Sequence, residues 1–153
     1  MGSGERHVVA PRDALPRPLC ARLASTEGGQ AVIDVILCIK RRQDVAPEEF
    51  HRYWREDHAR LVSRHAATIG AVSYVQHHTI DTGLESIVQS GRGCPAEVYD
   101  GIAVVSFESL DDMMRKGAEP EALAAAEELA EDEGRFIDHS ASRIWFTEHQ
   151  TIL

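Results

Sequence analysis

Val32-Ile33-Asp34-Val35-Ile36-Leu37-Cys38-Ile39 is β-branched and apolar almost without a break, and Pro47-Glu48-Glu49-Phe50 follows a short basic and polar link. A run of the first kind reads as a strand covered on both faces. The second is a helix start: proline gives up no needed donor in a first turn, and the carboxylates face the positive end of the helix dipole. The helix is expected over Pro47 to Ala67. At about 100° per residue, Phe50, Trp54, His58, Leu61 and His65 share one stripe that must face the sheet, while Arg52, Arg55, Glu56 and Arg60 turn away.

Working outward, Gly70 marks a break, and Val72 to Ile80 alternates Tyr74, Gln76 and His78 with Val75, His77 and Thr79, a second strand. Asp81 to Glu97, with Gly83, Gly91, Gly93 and Pro95, reads as a long loop of the kind that forms lids or binding loops. Tyr99 to Phe107 is a third strand. Ser109-Leu110-Asp111-Asp112 has the form of a capping box and opens a short helix, Pro120 begins another through Ala122 to Glu133, and Ser140 to Thr147 is a last strand. Strand, helix, strand, strand, helix, strand is the α+β, ferredoxin-like split β-α-β order, with a four-stranded antiparallel sheet and helices on one face. Because the first and third strands are apolar on both sides, the free face calls for a second copy of the chain. A homodimer by sheet packing, closing into an α/β barrel, is the expectation. Residues 1–30, with Pro11, Pro16, Pro18 and Gly28-Gly29, read as an extended arm before a domain over 31–153.

Sixteen Lys and Arg against twenty-five Asp and Glu, among 153 residues, give a net charge of −9. That balance disfavours nucleic acid and anionic membrane as partners. No apolar run approaches the ~20 residues of a membrane span, and the N-terminal segment has no apolar signal core. Three cysteines at unrelated spacings suit a reducing cytoplasm. Eight histidines are present, but their spacing matches no metal-site motif, and no glycine-rich phosphate loop joins a strand to a helix. Neither a metal nor a nucleotide cofactor is expected.

The candidate chemistry lies on the helix stripe and the second strand. A histidine facing a sheet needs partners for its ring nitrogens, and its ordinary pKa suits a general base near neutrality. His58 is the first candidate base, with Trp54 and His65 beside it on the stripe; a core histidine satisfied by its neighbours would look the same in sequence. Tyr74, Gln76 and His78 form a polar face able to line a cavity and orient an oxygenated ligand, or else a solvated face. A register slip of one residue would exchange His78 for His77. Asp100, at the start of the third strand, is placed either to orient an imidazole or as ordinary Asp-Gly turn chemistry. Trp54, Tyr74 and Phe107 are candidate aromatic walls.

The segments Glu48-Glu49-Phe50-His51-Arg52-Tyr53-Trp54-Arg55-Glu56-Asp57-His58, Tyr74-Val75-Gln76-His77-His78-Thr79, Tyr99-Asp100-Gly101-Ile102-Ala103 and Asp132-Glu133-Gly134-Arg135-Phe136-Ile137-Asp138 resemble, in order and spacing, the EthD family. This family, named for ethyl tert-butyl ether degradation, belongs to the dimeric α/β-barrel superfamily, and the resemblance covers Val35 to Leu153. It implies a ferredoxin-like protomer, a homodimer and a cavity between sheet and helices. It also implies cofactor-independent proton transfer on oxygenated ring compounds, as in polyketide cyclases, anthrone decarboxylases or dehydratases, muconolactone isomerases and cofactor-free monooxygenases. On this resemblance His58 takes the family's helix histidine, with Trp54 beside it, and Gln76, His78 and Asp100 fall on recurring positions. The expected function is a lyase, cyclase or isomerase acting by proton abstraction on a phenolic or β-dicarbonyl, polyketide-like ring. A small-molecule-binding accessory protein and a cofactor-free monooxygenase are the alternatives. Met114 to Pro120 lacks the tyrosine and histidine that the olivetolic-acid-cyclase branch carries there.

Overall fold

The computed structural model describes residues 32–150 and 152; the arm expected over residues 1–30 lies outside them. The elements are β1 (Ile33–Ile39), α1 (Pro47–Tyr53), a π-helical turn (Trp54–His58), α2 (Ala59–Ile69), β2 (Ala71–His78), α3 (Glu85–Ser90), β3 (Gly101–Phe107), α4 (Leu110–Gly117), α5 (Pro120–Glu133) and β4 (Arg143–Glu148). The sheet order is β2-β3-β1-β4, with every neighbouring pair antiparallel. This is the α+β, ferredoxin-like arrangement expected from the element order.

Local chemistry sets most boundaries. Pro47 begins α1 with Glu48 and Glu49 in its first turn, and Ser109 Oγ accepts the Asp112 amide at 3.0 Å to cap α4. Gly70 ends α2 in the left-handed region, at φ +79°, where a side chain would be strained and would also meet Lys116. The last strand starts later than the sequence pattern suggests. Asp138 Oδ1 accepts hydrogen bonds from the Ser140 amide and hydroxyl, and the turn so formed occupies residues 138–142. The Asp81–Glu97 segment is not wholly loop, since it contains α3, on which Ile87 and Val88 stay exposed.

The long helix is interrupted where it matters most. At Trp54–His58 the ladder widens, and the Ala59 amide reaches back to the Trp54 carbonyl, one residue further than in an α-helix. The extra residue advances the stripe by one position for everything after it. Phe50, Trp54 and His58 are buried as expected, but Val62 then takes the place expected for Leu61, and His65 meets Glu128 of α5, one turn before the Asp132 that holds His58. The expected pairing of His58 and His65 over one pocket is corrected: His65 stays on the α5-facing side but is taken up by Glu128 and does not reach the cavity.

Phe50, Trp54, Phe136, Ile137, Ile39 and Ala103 form the central core, with α2 packed along α5. Strand register divides the sheet cleanly. Val35, Leu37, Ile39, Ala103, Val105 and Phe107 face the helices with Tyr74, Gln76 and His78, which pair with Val105, Ala103 and Gly101. The opposite face carries Val75, Ile102 and Trp145, exposed at 43%, 37% and 45%, around the half-buried Ile36 and Val104. No described helix is long and apolar enough to cross a membrane.

Candidate active site

A cavity of about 330 Å³ lies between the helix side of the sheet and the α2–α5 pair. Leu37, Ile39, Ala103, Val105 and Phe107 form its floor, and Val62, Ala126, Leu129 and Ala130 form much of its roof. Against this apolar lining, His58, Tyr74 and Glu133 supply the polar side chains, with Trp54 as an aromatic wall. The shape and polarity suit a ring-sized ligand with one or two oxygens.

His58 is 3% exposed, which would be costly without partners. Its Nδ1 lies 2.9 Å from Asp132 Oδ2, near the end of α5. A carboxylate accepts, so His58 donates from Nδ1, and in the neutral ring Nε2 is the nitrogen without a proton. The Tyr53 hydroxyl donates to the other carboxylate oxygen, Oδ1, at 2.5 Å, and the Arg135 guanidinium stands 3.6 Å from that same oxygen. Burial, followed by the hydrogen bond to Asp132, pushes the Tyr53 hydroxyl above its ordinary range, so it stays a donor. The result is a Tyr53–Asp132–His58 chain ending at the cavity wall.

A second network surrounds Trp54. Its indole Nε1 donates to the Tyr74 hydroxyl oxygen at 2.9 Å, and its carbonyl accepts Gln76 Nε2 at 2.9 Å, which fastens the π-turn to β2. Gln76 Nε2 also lies 3.2 Å from the Tyr74 oxygen, and Gln76 Oε1 lies 3.0 Å from His78 Nε2. His78 Nδ1 in turn meets His51 Nδ1 at 2.9 Å. Burial foremost, then the nearby Arg55 and His51, pushes the His78 imidazole down to about 4, so it is neutral at neutral pH. Gly101 makes the indole's position possible: a Cβ there would come within 2.8 Å of both Trp54 and the His77 carbonyl.

Of the candidate residues, the structure brings Trp54, His58, Tyr74 and Phe107 to the cavity. Gln76 and His78 lie behind Trp54 and do not line it. His65 bonds Glu128 of α5 at 2.7 Å and does not line the cavity. Asp100 is also elsewhere. Its Oδ2 accepts the Arg41 amide at 3.0 Å, its own amide donates to the Ile39 carbonyl, and it ties the end of β1 to the start of β3. Neither Asp100 nor His78 bonds His58, so the orienting contact expected of them comes from Asp132 instead. Asp132 and Tyr53 were not among the candidates. A signal existed, since Ala122, Ala125, Leu129 and Asp132 recur at three and four residues and so share a helix face. Among the described residues, no three His, Cys, Asp or Glu side chains are placed to share a metal ion.

Comparison with known proteins gives the same architecture. The chain resembles an EthD family protein from Bacillus halodurans, at 10% identity over 78% of this chain and 99% of that one, with a TM-score of 0.52. It also resembles a dimeric ferredoxin-like protein of unknown function from Bacteroides fragilis, at 17% identity over 80% and 100%, with a TM-score of 0.50. A hydroxynitrile lyase from Passiflora edulis aligns at 9% identity over 80% and 97%, with a TM-score of 0.52. At such identities the likeness shows the fold. A search of curated proteins found no match. The EthD domain, in contrast, matches the sequence itself over residues 42–140, which include α1, the π-turn, Tyr74, Asp132 and most of the cavity wall, and the chain belongs to the EthD family.

Proposed function

We propose that the protein is a cofactor-independent lyase, cyclase or isomerase that abstracts a proton from an oxygenated ring substrate of phenolic or β-dicarbonyl type. The observation that carries this reading is the buried His58, fixed through Nδ1 by Asp132 and lining an apolar cavity. A base in that setting meets a C–H or O–H made acidic by an adjacent carbonyl, and the carboxylate behind it stabilises the imidazolium that forms. The electron pair of the broken bond forms the carbon–carbon π bond of the enolate, and the carbonyl π pair moves onto the substrate oxygen. Decarboxylation, dehydration, cyclisation and isomerisation can all begin from the enolate so produced.

The test uses 2-tetralone, a two-ring ketone with acidic protons between its carbonyl and its arene. In heavy water the wild-type protein is expected to speed deuterium uptake at that carbon, read by proton NMR. His58→Ala should lose about 10²-fold or more of that acceleration while still binding the ketone. Equal rates in the two proteins would remove His58 as the base. Binding with no acceleration in the wild type would favour a small-molecule-binding accessory protein.

The exposed sheet face belongs to the same reading. Val75, Ile102 and Trp145 form an apolar patch on the side opposite the cavity, and a second copy of this sheet would cover it. Light scattering should give twice the chain mass for the wild type and the single mass for Trp145→Glu.

A further inference from the structure

We propose that Tyr74 is a catalytic hydrogen-bond donor, its hydroxyl hydrogen directed to the substrate oxygen on which charge develops. This rests on the reading of His58 as the base.

The direction follows from groups that can act in one sense only. The Trp54 carbonyl can only accept, so the Gln76 atom 2.9 Å from it is the amide nitrogen, a donor. That same nitrogen and the indole N–H both point at the Tyr74 oxygen, at 3.2 and 2.9 Å. Both lone-pair positions of the phenol are thus supplied, and among the described residues nothing accepts its hydrogen. Gln76 is held in this orientation from behind. Its Oε1 accepts from His78 Nε2–H, and the neutral His78 then takes His51 Nδ1–H on its own Nδ1. Every donor in the series His51, His78, Gln76, Tyr74 points the same way, toward the cavity that Tyr74 lines. Burial pushes the Tyr74 hydroxyl above its ordinary range, so the hydrogen is retained at neutral pH. The His58 and Tyr74 rings are 6.5 Å apart between centroids. One ligand can therefore present a C–H to the imidazole and the neighbouring carbonyl oxygen to the phenol.

In the step this implies, the C–H bond breaks, its proton goes to His58 Nε2 and its electron pair becomes the enolate π bond. The carbonyl π pair moves to oxygen, where Tyr74 O–H donates a hydrogen bond that is stronger than in the ketone. Gln76, His78 and His51 are positioning residues in this scheme.

The experiment takes 2-tetralone labelled with carbon-13 at the carbonyl and reads two quantities: the carbonyl infrared band of the bound ketone and the rate of deuterium uptake. In the wild type the band is expected at lower wavenumber than in Tyr74→Phe, and uptake about a hundredfold faster. His58→Ala should keep the shifted band and lose the uptake. A wild-type band at the Tyr74→Phe position, or no bound band, overturns the donor. A shifted band with uptake indifferent to His58→Ala overturns the base and leaves the donor standing. Gln76→Glu keeps the phenol but offers it a carboxylate to donate to, and is expected to lose the band shift like Tyr74→Phe, with folding checked by its melting curve. A shift retained in a folded Gln76→Glu protein overturns the directional argument.

Discussion

His58 follows Trp54 across one wide helical turn, and His78 lies 4.4 Å from the same indole, centroid to centroid, yet the two imidazoles have opposite kinds of partner. His58 has a carboxylate on its inner nitrogen; His78 has an amide oxygen on one side and another imidazole on the other. A ring backed by Asp132 can take up a proton and hold the charge. His78, kept neutral by burial foremost and then by Arg55 and His51, acts as a fixed link in a hydrogen-bond series. In the proposed scheme the two rings therefore have different tasks.

The strongest way to break this contrast is to remove the charge behind His58. Asp132→Asn is expected to slow deuterium uptake by 2-tetralone about a hundredfold, because the amide no longer fixes the Nδ1–H tautomer or stabilises the imidazolium. An unaltered rate would mean the carboxylate is structural. Gly101→Ala attacks what the two histidines share. The added Cβ must push the indole or the β2 backbone, at a cost of about 1–3 kcal/mol, visible as a lower urea midpoint and a weaker ketone affinity.

A subtler change comes with pH. Above about 6.5, the ordinary histidine value, the His78 ring is neutral in folded and unfolded chains alike. Between 6.5 and about 4 the unfolded chain takes a proton that the folded one refuses, so stability falls as pH falls through that window. Urea midpoints at pH 7 and pH 5 should therefore differ more in the wild type than in His78→Asn. The smallest effect is expected at Asp100→Asn, which loosens the ends of β1 and β3 but should change deuterium uptake by less than about threefold; a large loss would place Asp100 in the chemistry after all.

Much of this arrangement was legible in the residues. The apolar run at 32–39, the Pro47 helix start, the alternation at Tyr74, Gln76 and His78, and the Ser109 cap each carry a local signal, and together they give the order of elements along the chain and the fold class. Trp54 and His58 follow from the helical period and Tyr74 from strand parity, while Phe107 could be named only as a candidate wall. Val62 displaced Leu61 because a stripe count assumes one helical pitch, and nothing in Trp54-Arg55-Glu56-Asp57-His58 announces a wider turn; His65 missed the cavity because its partner, Glu128, is distant in sequence. Asp132 was hidden by its surroundings: in a segment as acidic as Glu127 to Glu133, one inward carboxylate looks like part of a solvated face. Asp100 was misread because Asp before a strand fits both an orienter and a turn, and the choice depends on Arg41, distant in sequence.

The π-turn makes chain length, as well as residue identity, a determinant of this site. Removing one residue between Trp54 and His58 would let the helix close into a continuous α form, and the change would act as a rotation of about 100° on everything to one side of it. Leu61 would swing toward the sheet in place of Val62, and His58 would turn from Asp132. The sequence thus carries two phases of one amphipathic pattern, and a single inserted residue, anchored by Gln76 on the Trp54 carbonyl, selects the phase in which a buried histidine meets its carboxylate.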